Sequence, residues 1–517
     1  MTLSPSPGCV YIVGAGPGDP GLLTLKGAQL LGVADVVLYD DLVDPRILDL
    51  APPQCERLNV GHRGGSGVGR IQEALNEQLI RYARGGKRVV RLKGGDPYVF
   101  GRGSEEAMAL SQAAVPFEVV SGVSAAAGVP AYAGIPLTHR NISAAAVLIT
   151  GHEDPGEPSA AVDWRQLAQL PYTLVIFMGS RQLPKIADLL QEYGRPPDTP
   201  AAAIEYGTWP RQRTVASTLS KLAGEVKEAG LHSPTLVVVG EVVSLREQLN
   251  WFERRPLFGR RILITRSSEQ SGPLRMLLEA EGGEVHSLPL LCISPPKESD
   301  GMDRALARLG EFDWVLFTSP NSVDFFFTAL QQLDQDARAL GGVKVAAVGL
   351  TTAARLRERG IGPDLLPQQH TQDGLAAAFE ALPAEGREFL IPASSIGRTL
   401  LDQELERRGA TVTRVVAYEN CSPAADEVEL PTAVVQGRID VFVFASPSSV
   451  RNFAELLGPD RTAELLAPPA TIACIGPTTA AAVRDLGLAV DVEPDESSIP
   501  ALVQAICTHS QMTRPLP

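Results

Sequence analysis

The sequence of 517 residues has few cysteines, few histidines and no long apolar run. Its six cysteines stand singly without a CxxC pair, which excludes a disulfide framework or a zinc site of that kind. The seven histidines show no metal-ligand spacing, so we expect no metal. No run approaches about 18 apolar residues, and residues 1–8 lack the features of a secretion signal. We therefore expect a cytoplasmic protein without a membrane partner.

Basic residues are also scarce relative to acidic ones. The chain holds 46 Lys and Arg against 60 Asp and Glu, for a net charge of -14. Nucleic-acid binders usually show a basic balance, so we expect no nucleic-acid partner. An apolar content of 44% and a charged content of 21% are typical of a globular protein. The length is sufficient for the hydrophobic cores of roughly three or four domains.

The most informative stretch is residues 93–106, which read KGGDPYVFGRGSEE. It follows a short β-branched run and precedes a predicted helix at residues 105–112, with Ser104 as the N-cap. Its four glycines let the backbone approach a ligand closely. Three ionisable side chains are crowded among these glycines: Lys93, Asp96 and Arg102. We interpret the stretch as a ligand-binding loop, with an ordinary glycine-rich turn as the alternative.

Two predicted strands end in further candidate sites. The first strand runs into GAGPGDP at residues 14–20, where Asp19 stands in place of a glycine of the dinucleotide fingerprint, and we therefore reject a Rossmann NAD site. The second strand, residues 36–39, ends in Asp40 and Asp41. Acids at a strand's carboxyl end lie where open α/β sheets bind ligands. The alternative is that one of the pair caps the following helix.

Seven motifs in the first half resemble, in order, those of uroporphyrinogen-III C-methyltransferases of the tetrapyrrole methylase family. They lie at residues 13–20, 39–40, 93–106, 130–140, 150–152, 178–179 and 205–208. The resemblance covers about residues 8–253 and implies a two-domain class III methyltransferase fold rather than a Rossmann fold. It also implies S-adenosyl-L-methionine as cofactor, a homodimer formed through this half, and methylation of two pyrrole carbons of uroporphyrinogen III to give precorrin-2 for the sirohaem or cobalamin branch.

The resemblance assigns roles to individual residues. Asp40 matches the base that removes a proton after methyl transfer, and His62 stands where relatives often have a lysine as proton donor. Histidine donates a proton near neutral pH. The implied cofactor contacts are Pro17, Gly94, Gly95, Asp96, Val99, Ser124, Ala125, Met178 and Gly207. Because the substrate carries eight carboxylates, we expect basic contacts from Arg63, Lys93, Arg102, His139 and Arg140, each with a solvated surface charge as the alternative.

The second half contains an internal repeat. Residues 317–323 (FTSPNSV) echo residues 444–450 (FASPSSV), and residues 348–353 echo residues 475–480, in both cases 127 residues further on. A constant offset indicates two copies of one α/β unit. Hydroxyls and free N–H groups at the helix starts of both copies suit an anion, with N-capping alone as the alternative.

This half, over about residues 260–508, resembles uroporphyrinogen-III synthase. The resemblance rests on the LITR start at residues 263–266, the paired Ser-Pro motifs and VAY at residues 416–418. It implies two flavodoxin-like lobes, no cofactor, and closure of hydroxymethylbilane with inversion of the last pyrrole ring. Tyr418 would assist the loss of hydroxide. The other implied substrate contacts are Thr265, Arg266, Ser319, Thr351, Arg398, Ser446 and Thr478.

The two resemblances predict one bifunctional α/β enzyme, because the product of the synthase is the substrate of the methyltransferase. The predicted methyltransferase spans residues 1–255, with subdomains at about 8–140 and 141–250. The predicted synthase spans residues 256–517, with interleaved lobes at about 260–290 plus 422–508 and at 291–421. Two alternatives are a methylase acting later on corrinoids, and a protein with one inactive half that serves binding or regulation.

Overall fold

The structure is a computed structural model that describes residues 6–61, 68–153, 155, 162–265, 268–290, 292–296, 300–395, 399–421 and 430–513. The predicted α/β class is confirmed, since the described residues form four β-sheets whose strands alternate with helices. The chain divides into two compact units, residues 1–260 with 277–284 and 507–517, and residues 261–276 with 285–506. Within the described ranges, no helix has the length and apolar character needed to cross a bilayer.

The first sheet has five strands: β1 (Val10–Gly14), β2 (Val36–Tyr39), β3 (Glu56–Asn59), β4 (Val89–Lys93) and β5 (Phe117–Val120). The helices of this part are α1 (Leu25–Leu31), α2 (Pro45–Leu48), α3 (Val68–Arg84), α4 (Gly103–Gln112) and α5 (Ala125–Tyr132). The strand order is β3-β2-β4-β1-β5, and every pairing is parallel. Parallel pairing places the carboxyl ends of all five strands at one edge, where open α/β sheets bind ligands.

The second sheet is mixed. Its strands are β6 (Ala146–Thr150), β7 (Thr173–Phe177), β8 (Pro200–Glu205), β9 (Arg213–Thr218) and β10 (Thr235–Val239), in the order β6-β7-β10-β8-β9. Its helices are α6 (Trp164–Gln169), α7 (Leu183–Glu192), α8 (Leu219–Glu228) and α9 (Arg246–Leu249). Only β6 and β7 pair in parallel. The sequence indicated four strands here and missed β9, because this edge strand is polar and only partly buried.

The predicted cap of α4 is wrong, and the alternative role of Asp40 or Asp41 as a helix cap is not needed. Helix α4 begins at Gly103, and its N-cap is Arg102 in a left-handed conformation with φ 57°, rather than Ser104. Helix α2 is capped by Asp44, whose side chain accepts a hydrogen bond from the Arg46 N–H at 2.9 Å. Neither Asp40 nor Asp41 is therefore needed as a cap.

The second unit contains two further sheets. The strands are β11 (Arg261–Ile264), β12 (Glu284–Ser287), β13 (Cys292–Ser294), β14 (Trp314–Phe317), β15 (Lys344–Ala347), β16 (Glu388–Ser394), β17 (Thr411–Cys421), β18 (Val441–Phe444) and β19 (Thr471–Cys474). The helices from residue 268 onward are α10 (Ser268–Ala280), α11 (Asp300–Ala307), α12 (Pro320–Gln332), α13 (Leu350–Glu358), α14 (Gln372–Phe379), α15 (Leu400–Arg407), α16 (Thr432–Val435), α17 (Pro447–Leu457), α18 (Pro459–Leu466), α19 (Pro477–Arg484) and α20 (Ile499–Thr513). The sheet orders are β12-β11-β18-β19 and β13-β17-β16-β14-β15.

The two copies of the repeat, offset by 127 residues, share equivalent hydrogen bonds. The Asp364 carboxylate accepts from the Val345 N–H at 2.8 Å, and Asp491 accepts from the Ile472 N–H at 2.7 Å. Each sheet combines strands of both copies. Strands β11 and β12 of the first copy join β18 and β19 of the second, and β16 and β17 of the second copy join β13, β14 and β15 of the first. The two copies therefore exchange halves.

The Asp35 carboxylate ties the start of β2 to the start of β4. Its Oδ2 accepts from the backbone N–H of Arg88 at 2.8 Å, and its Oδ1 accepts from the guanidinium at 2.8 Å. The hydrogen bonds from Arg88 lower the pKa of Asp35 to about 2. Because this folded value lies below the unfolded value, the stabilisation is present at neutral pH and is lost as the pH falls from about 5 towards 2.

We expect Asp35→Asn to lower the free energy of unfolding at neutral pH by about 1 kcal/mol, since a partly exposed pair is screened by solvent. The difference between variant and wild type should narrow between about pH 5 and pH 3. Thermal unfolding followed across this pH range measures it. A difference that stays constant over the range would contradict the assignment.

Candidate functional site

A cavity of about 890 Å³ lies in the first unit, with walls from the loops of both of its sheets. This volume is within the range of small-molecule sites. The predicted residues that line it are Pro17, Asp40, Lys93, Gly94, Gly95, Asp96, Val99, Arg102, Ala125, Met178 and Gly207. The structure therefore brings together most of the site residues indicated by the first half of the sequence.

Glycines allow three loops to meet backbone against backbone at one wall of the cavity. The Gly95 N–H donates to the Gly16 carbonyl at 2.7 Å, and the Gly16 N–H donates back to Gly95 at 3.2 Å. A Cβ on Gly122 would lie 2.3 Å from the Gly95 carbonyl oxygen. Gly95 itself has φ +69°, and a Cβ there would meet only the Ala125 nitrogen, at 3.6 Å. We call this wall, formed by the loops of Gly16, Gly95 and Gly122, the glycine cradle. The space over Gly95 is open, and a side chain at that position would fill it.

Asp96 holds this cradle together. Its Oδ1 accepts from the Tyr98 N–H at 2.8 Å, and its Oδ2 accepts from the Gly122 N–H at 3.2 Å. Each carboxylate oxygen has a second lone pair, so both can accept from a ligand as well. Ser124 has a local role, because its hydroxyl accepts from the Ala126 N–H and caps α5.

A buried charge cluster lies behind Asp40. The Arg91 guanidinium, 3% exposed, donates from Nε to Glu106 Oε1 at 3.1 Å and from one terminal nitrogen to Asp40 Oδ1. Its other terminal nitrogen donates to the backbone carbonyls of Leu38 and Leu92. All of its nitrogens are therefore engaged, and Arg91 fixes the position of the Asp40 carboxylate at the cavity.

Lys93 belongs to the same cluster. Its Nζ donates to Glu106 Oε1 at 2.8 Å, and its side chain is 4% exposed. Burial and then the charge of Arg91 lower the pKa of Lys93. Burial also acts to lower the pKa of Arg91, but the carboxylates of Asp40 and Glu106 outweigh it and raise that pKa. Lys93 is thus committed to an internal ion pair.

Sequence reasoning missed Arg91 and Glu106. The available signal for Arg91 was its position as a charged residue inside a β-branched run. A charge buried in such a strand requires a partner, so the position indicates an ion pair. That Glu106 is the partner follows only from the packing of α4 on β4, which places the two side chains together although they are 15 residues apart. The second oxygen of Glu106, Oε2, is buried and has no hydrogen-bond partner among the described residues.

Left-handed backbone conformations are concentrated around the cavity. Phe100, Arg102, Met178 and Tyr206 all line it and have φ between 46° and 57°. For residues other than glycine this conformation costs on the order of 1 kcal/mol or more each, and such strain clusters at ligand sites. The surrounding structure therefore imposes these conformations at the place where a ligand would bind.

Some predicted site residues lie away from the cavity, and some lining residues were not predicted. His139 and Arg140 are exposed and do not line the cavity. His62 and Arg63 lie outside the described residues. His152 and Tyr206, which lie in the motifs at residues 150–152 and 205–208, also line the cavity. Lining residues that the sequence did not indicate include Phe177, Ser180, Arg181, Trp209 and Arg211. They come from the second sheet, whose loops carry shorter motifs.

In the second unit the structure brings Tyr418 and Ser319 together. The Tyr418 hydroxyl lies 3.1 Å from Ser319 Oγ, and its ring stacks on Phe325 with centroids 5.7 Å apart. The pairing of β16 with β17 shifts by one residue just before Tyr418, which is 7% exposed. A bulge of this kind re-aims a side chain, here towards the start of α12.

The remaining predicted residues of this half lie at strand ends and helix starts. Ser319 and Ser446 are the N-caps of α12 and α17, and Thr265 is buried and donates to the Val443 carbonyl at 3.2 Å. Thr351 and Thr478 are exposed near the starts of α13 and α19. Arg266 and Arg398 fall outside the described residues.

Comparison with known proteins accounts for both halves of the chain. Residues 9–223 match the family model described as Tetrapyrrole (Corrin/Porphyrin) Methylases, and residues 273–504 match the model described as Uroporphyrinogen-III synthase HemD. The chain is 35% identical to the porphyrin biosynthesis protein HemD of Ruminiclostridium josui, over 96% of this chain and 97% of that protein. Similarity therefore extends over nearly the whole of both chains.

Two further proteins each resemble part of the chain. The uroporphyrinogen-III C-methyltransferase of Bacillus subtilis is 39% identical over 68% of this chain and 72% of its own length. A solved structure, uroporphyrin-III C-methyltransferase from Thermus thermophilus complexed with S-adenyl homocysteine, is 43% identical. The match covers 46% of this chain and 99% of that one, with a TM-score of 0.39.

Proposed function

The chain belongs to the family of the porphyrin biosynthesis protein HemD, with a tetrapyrrole methylase joined to a uroporphyrinogen-III synthase, and from this premise we propose a two-step activity. The synthase half closes hydroxymethylbilane to uroporphyrinogen III, and the methylase half then methylates that product at two pyrrole carbons to give precorrin-2. The observation that carries the proposal for the methylase half is the cavity that joins Asp40 to the glycine cradle.

The cavity fits S-adenosyl-L-methionine, which supplies an electrophilic methyl group bound to a sulfonium. The open space over Gly95 suits close backbone contact, and the carboxylate of Asp96 can accept from a ribose hydroxyl or an amino group. Met178 and Gly207 contribute from the loops that follow β7 and β8. Methyl transfer of this kind depends mainly on holding the reacting carbon in line, so the protein's contribution is chiefly positioning. The synthase half requires no cofactor.

Asp40 acts as the base that takes a proton from the methylated macrocycle. Arg91 holds Oδ1, and the side chain is 27% exposed at the cavity, so the carboxylate is both fixed and accessible. A general base must lie within hydrogen-bond reach of the proton it removes. The position of Asp40 in the lining of the cavity proposed for the macrocycle supports this role. His62 is proposed as the proton donor on the resemblance alone.

Tyr418 assists departure of hydroxide from hydroxymethylbilane. Its hydroxyl is oriented by Ser319 Oγ at 3.1 Å, and the stacked Phe325 ring keeps the phenol in place. A positioned phenol can donate a proton to a leaving group. Hydroxyls at the starts of α12 and α17 would meet carboxylates of the substrate.

We further propose the domain division and the assembly. Residues 1–255 form the methyltransferase, with subdomains at about 8–140 and 141–250, and residues 256–517 form the synthase. Its lobes comprise about residues 260–290 with 422–508, and residues 291–421. The protein forms a homodimer through the methyltransferase half and works in the cytoplasm.

A coupled assay tests the proposed function. Hydroxymethylbilane supplied alone should yield uroporphyrinogen III, and addition of S-adenosyl-L-methionine should convert it to a dimethylated product. Chromatography of the oxidised products separates the isomers and counts the added methyl groups. Formation of isomer I alone would overturn the synthase assignment, and isomer III that is never methylated would overturn the methylase assignment.

A variant of Tyr418 separates the two halves in the same assay. Tyr418→Phe should slow formation of isomer III by about 100-fold, because a positioned acid typically contributes at least that factor. Methylation of supplied uroporphyrinogen III should proceed at the wild-type rate, which controls for the integrity of the first half. Equal loss of both activities would contradict a local role for this hydroxyl.

A further inference from the structure

The basic side chains that line the methylase cavity fall into two groups. Arg91, Lys93 and Arg102 each form an ion pair with a carboxylate of the chain itself. Arg181 and Arg211 line the same cavity and have no carboxylate partner in the part of the chain that the structure describes. Their charges are thus available to a ligand, whereas those nearest the glycine cradle are already compensated.

Arg211 is held in an aromatic stack. Its guanidinium carbon lies 4.2 Å from the centroid of the Tyr206 ring and 4.7 Å from that of Trp209. A guanidinium stacked on aromatic faces keeps its in-plane N–H groups free, and these match the two oxygens of a carboxylate. Arg211 is therefore a cation lined by aromatic rings, and a guanidinium of this kind can form a bidentate contact with a carboxylate.

Hydrogen bonds and close packing hold the turn that carries Arg211. The Trp209 N–H donates to the Tyr206 carbonyl at 3.1 Å, and the Gln212 N–H donates to the Trp209 carbonyl at 2.9 Å. The buried Gln212 side chain accepts from the Thr208 N–H at 2.8 Å. The Trp209 ring packs against Gly18 so closely that a Cβ there would lie 2.2 Å from the indole nitrogen. Such preorganisation reduces the entropic cost of binding a ligand.

We propose that Arg211, aided by Arg181 from the loop after β7, binds a carboxylate side chain of the macrocycle and selects substrates rich in carboxylates. The inference rests on the proposed function of the cavity as a porphyrinogen methylation site. A chain with a net charge of -14 repels a polyanionic substrate at long range, so uncompensated cations in the cavity determine which polyanion enters. Arg211 is a specificity residue and takes no part in methyl transfer.

Arg211→Gln tests the proposal, with Arg255→Gln as a matched control. Arg255 also stacks on aromatic rings, 4.7 Å from the Trp251 centroid, but it does not line the cavity. We expect Arg211→Gln to raise KM for uroporphyrinogen III by about 10-fold or more, the usual scale of one charge-assisted contact, with kcat within about 3-fold of wild type. Arg255→Gln should leave both constants unchanged.

Two further measurements separate this role from others. Wild type should prefer an octacarboxylate porphyrinogen over a tetracarboxylate one, and Arg211→Gln should reduce that preference. Affinity for S-adenosyl-L-methionine, measured by calorimetry without macrocycle, should stay the same. An unchanged KM and preference would overturn the proposal, as would a loss of cofactor affinity.

A second substitution covers the case in which Arg211→Gln folds poorly. Arg211→Lys keeps the charge but loses the planar fork, so it should recover only part of the affinity for the macrocycle. Full recovery by lysine would overturn the bidentate contact. Failure of the wild-type protein to methylate any porphyrinogen would instead refute the proposed function, which distinguishes the two ideas.

Discussion

Asp40→Asn should reduce methylation of uroporphyrinogen III by at least about 100-fold, with the affinity for S-adenosyl-L-methionine within a factor of about 3 of wild type. The amide oxygen can still accept from Arg91, so the side chain should keep its place. What is lost is the ability to take a proton from the methylated macrocycle. Single-turnover kinetics with saturating cofactor and substrate measure the effect directly.

The control for Asp40→Asn is Asp35→Asn, which removes a carboxylate from the same sheet away from the cavity. It should methylate at close to the wild-type rate. Full activity in Asp40→Asn would rule out the proposed base. A loss of activity accompanied by loss of cofactor binding would show that Asp40 acts in binding rather than in proton transfer.

Glu106→Leu should destabilise the first unit by about 3–5 kcal/mol, the usual cost of removing one partner from a buried ion pair. The side chain is fully buried, and its Oε1 accepts from both Arg91 and Lys93. Without it, two buried cations share the single carboxylate of Asp40. Chemical denaturation followed by a probe in the first unit measures the loss.

A second substitution should restore part of this stability. Lys93→Met in the Glu106→Leu background removes the surplus cation and leaves the Arg91–Asp40 pair balanced. The double variant should therefore be more stable than Glu106→Leu alone, as replacement of a complete buried pair by apolar side chains is often tolerated. A double variant less stable than the single one would refute the charge-balance explanation.

Local chemistry made much of the first site predictable. Asp40 follows a buried strand, and the glycines at residues 94–95 follow another, so parallel pairing alone brings them to one edge. The same local reasoning failed at the start of α4, because a left-handed Arg102 cap has no clear sequence signal. It also failed for β9, since a polar edge strand lacks the apolar alternation on which strand prediction depends.

Contacts between elements account for the residues that sequence reasoning missed. The stack of Arg211 on Tyr206 and Trp209 depends on a tight turn with a left-handed tyrosine. Such a conformation is imposed by packing and is not encoded in a motif. The family resemblance indicated Tyr418, but only the bulge in β17 shows how its hydroxyl reaches Ser319.

The exchange of halves between the two repeats also fixes an order of assembly on the ribosome. The sheet β13-β17-β16-β14-β15 is complete once residue 421 has emerged, because all of its strands lie between residues 292 and 421. Strand β11 is made earlier, yet its neighbour β18 begins only at residue 441. During translation the edge of β11 that later pairs with β18 therefore stays unpaired while residues 292–421 fold. An unpaired strand edge can pair with the wrong segment or with another chain. We therefore expect the protein to be most prone to aggregate when synthesis is slow, or stops, between residues 287 and 441.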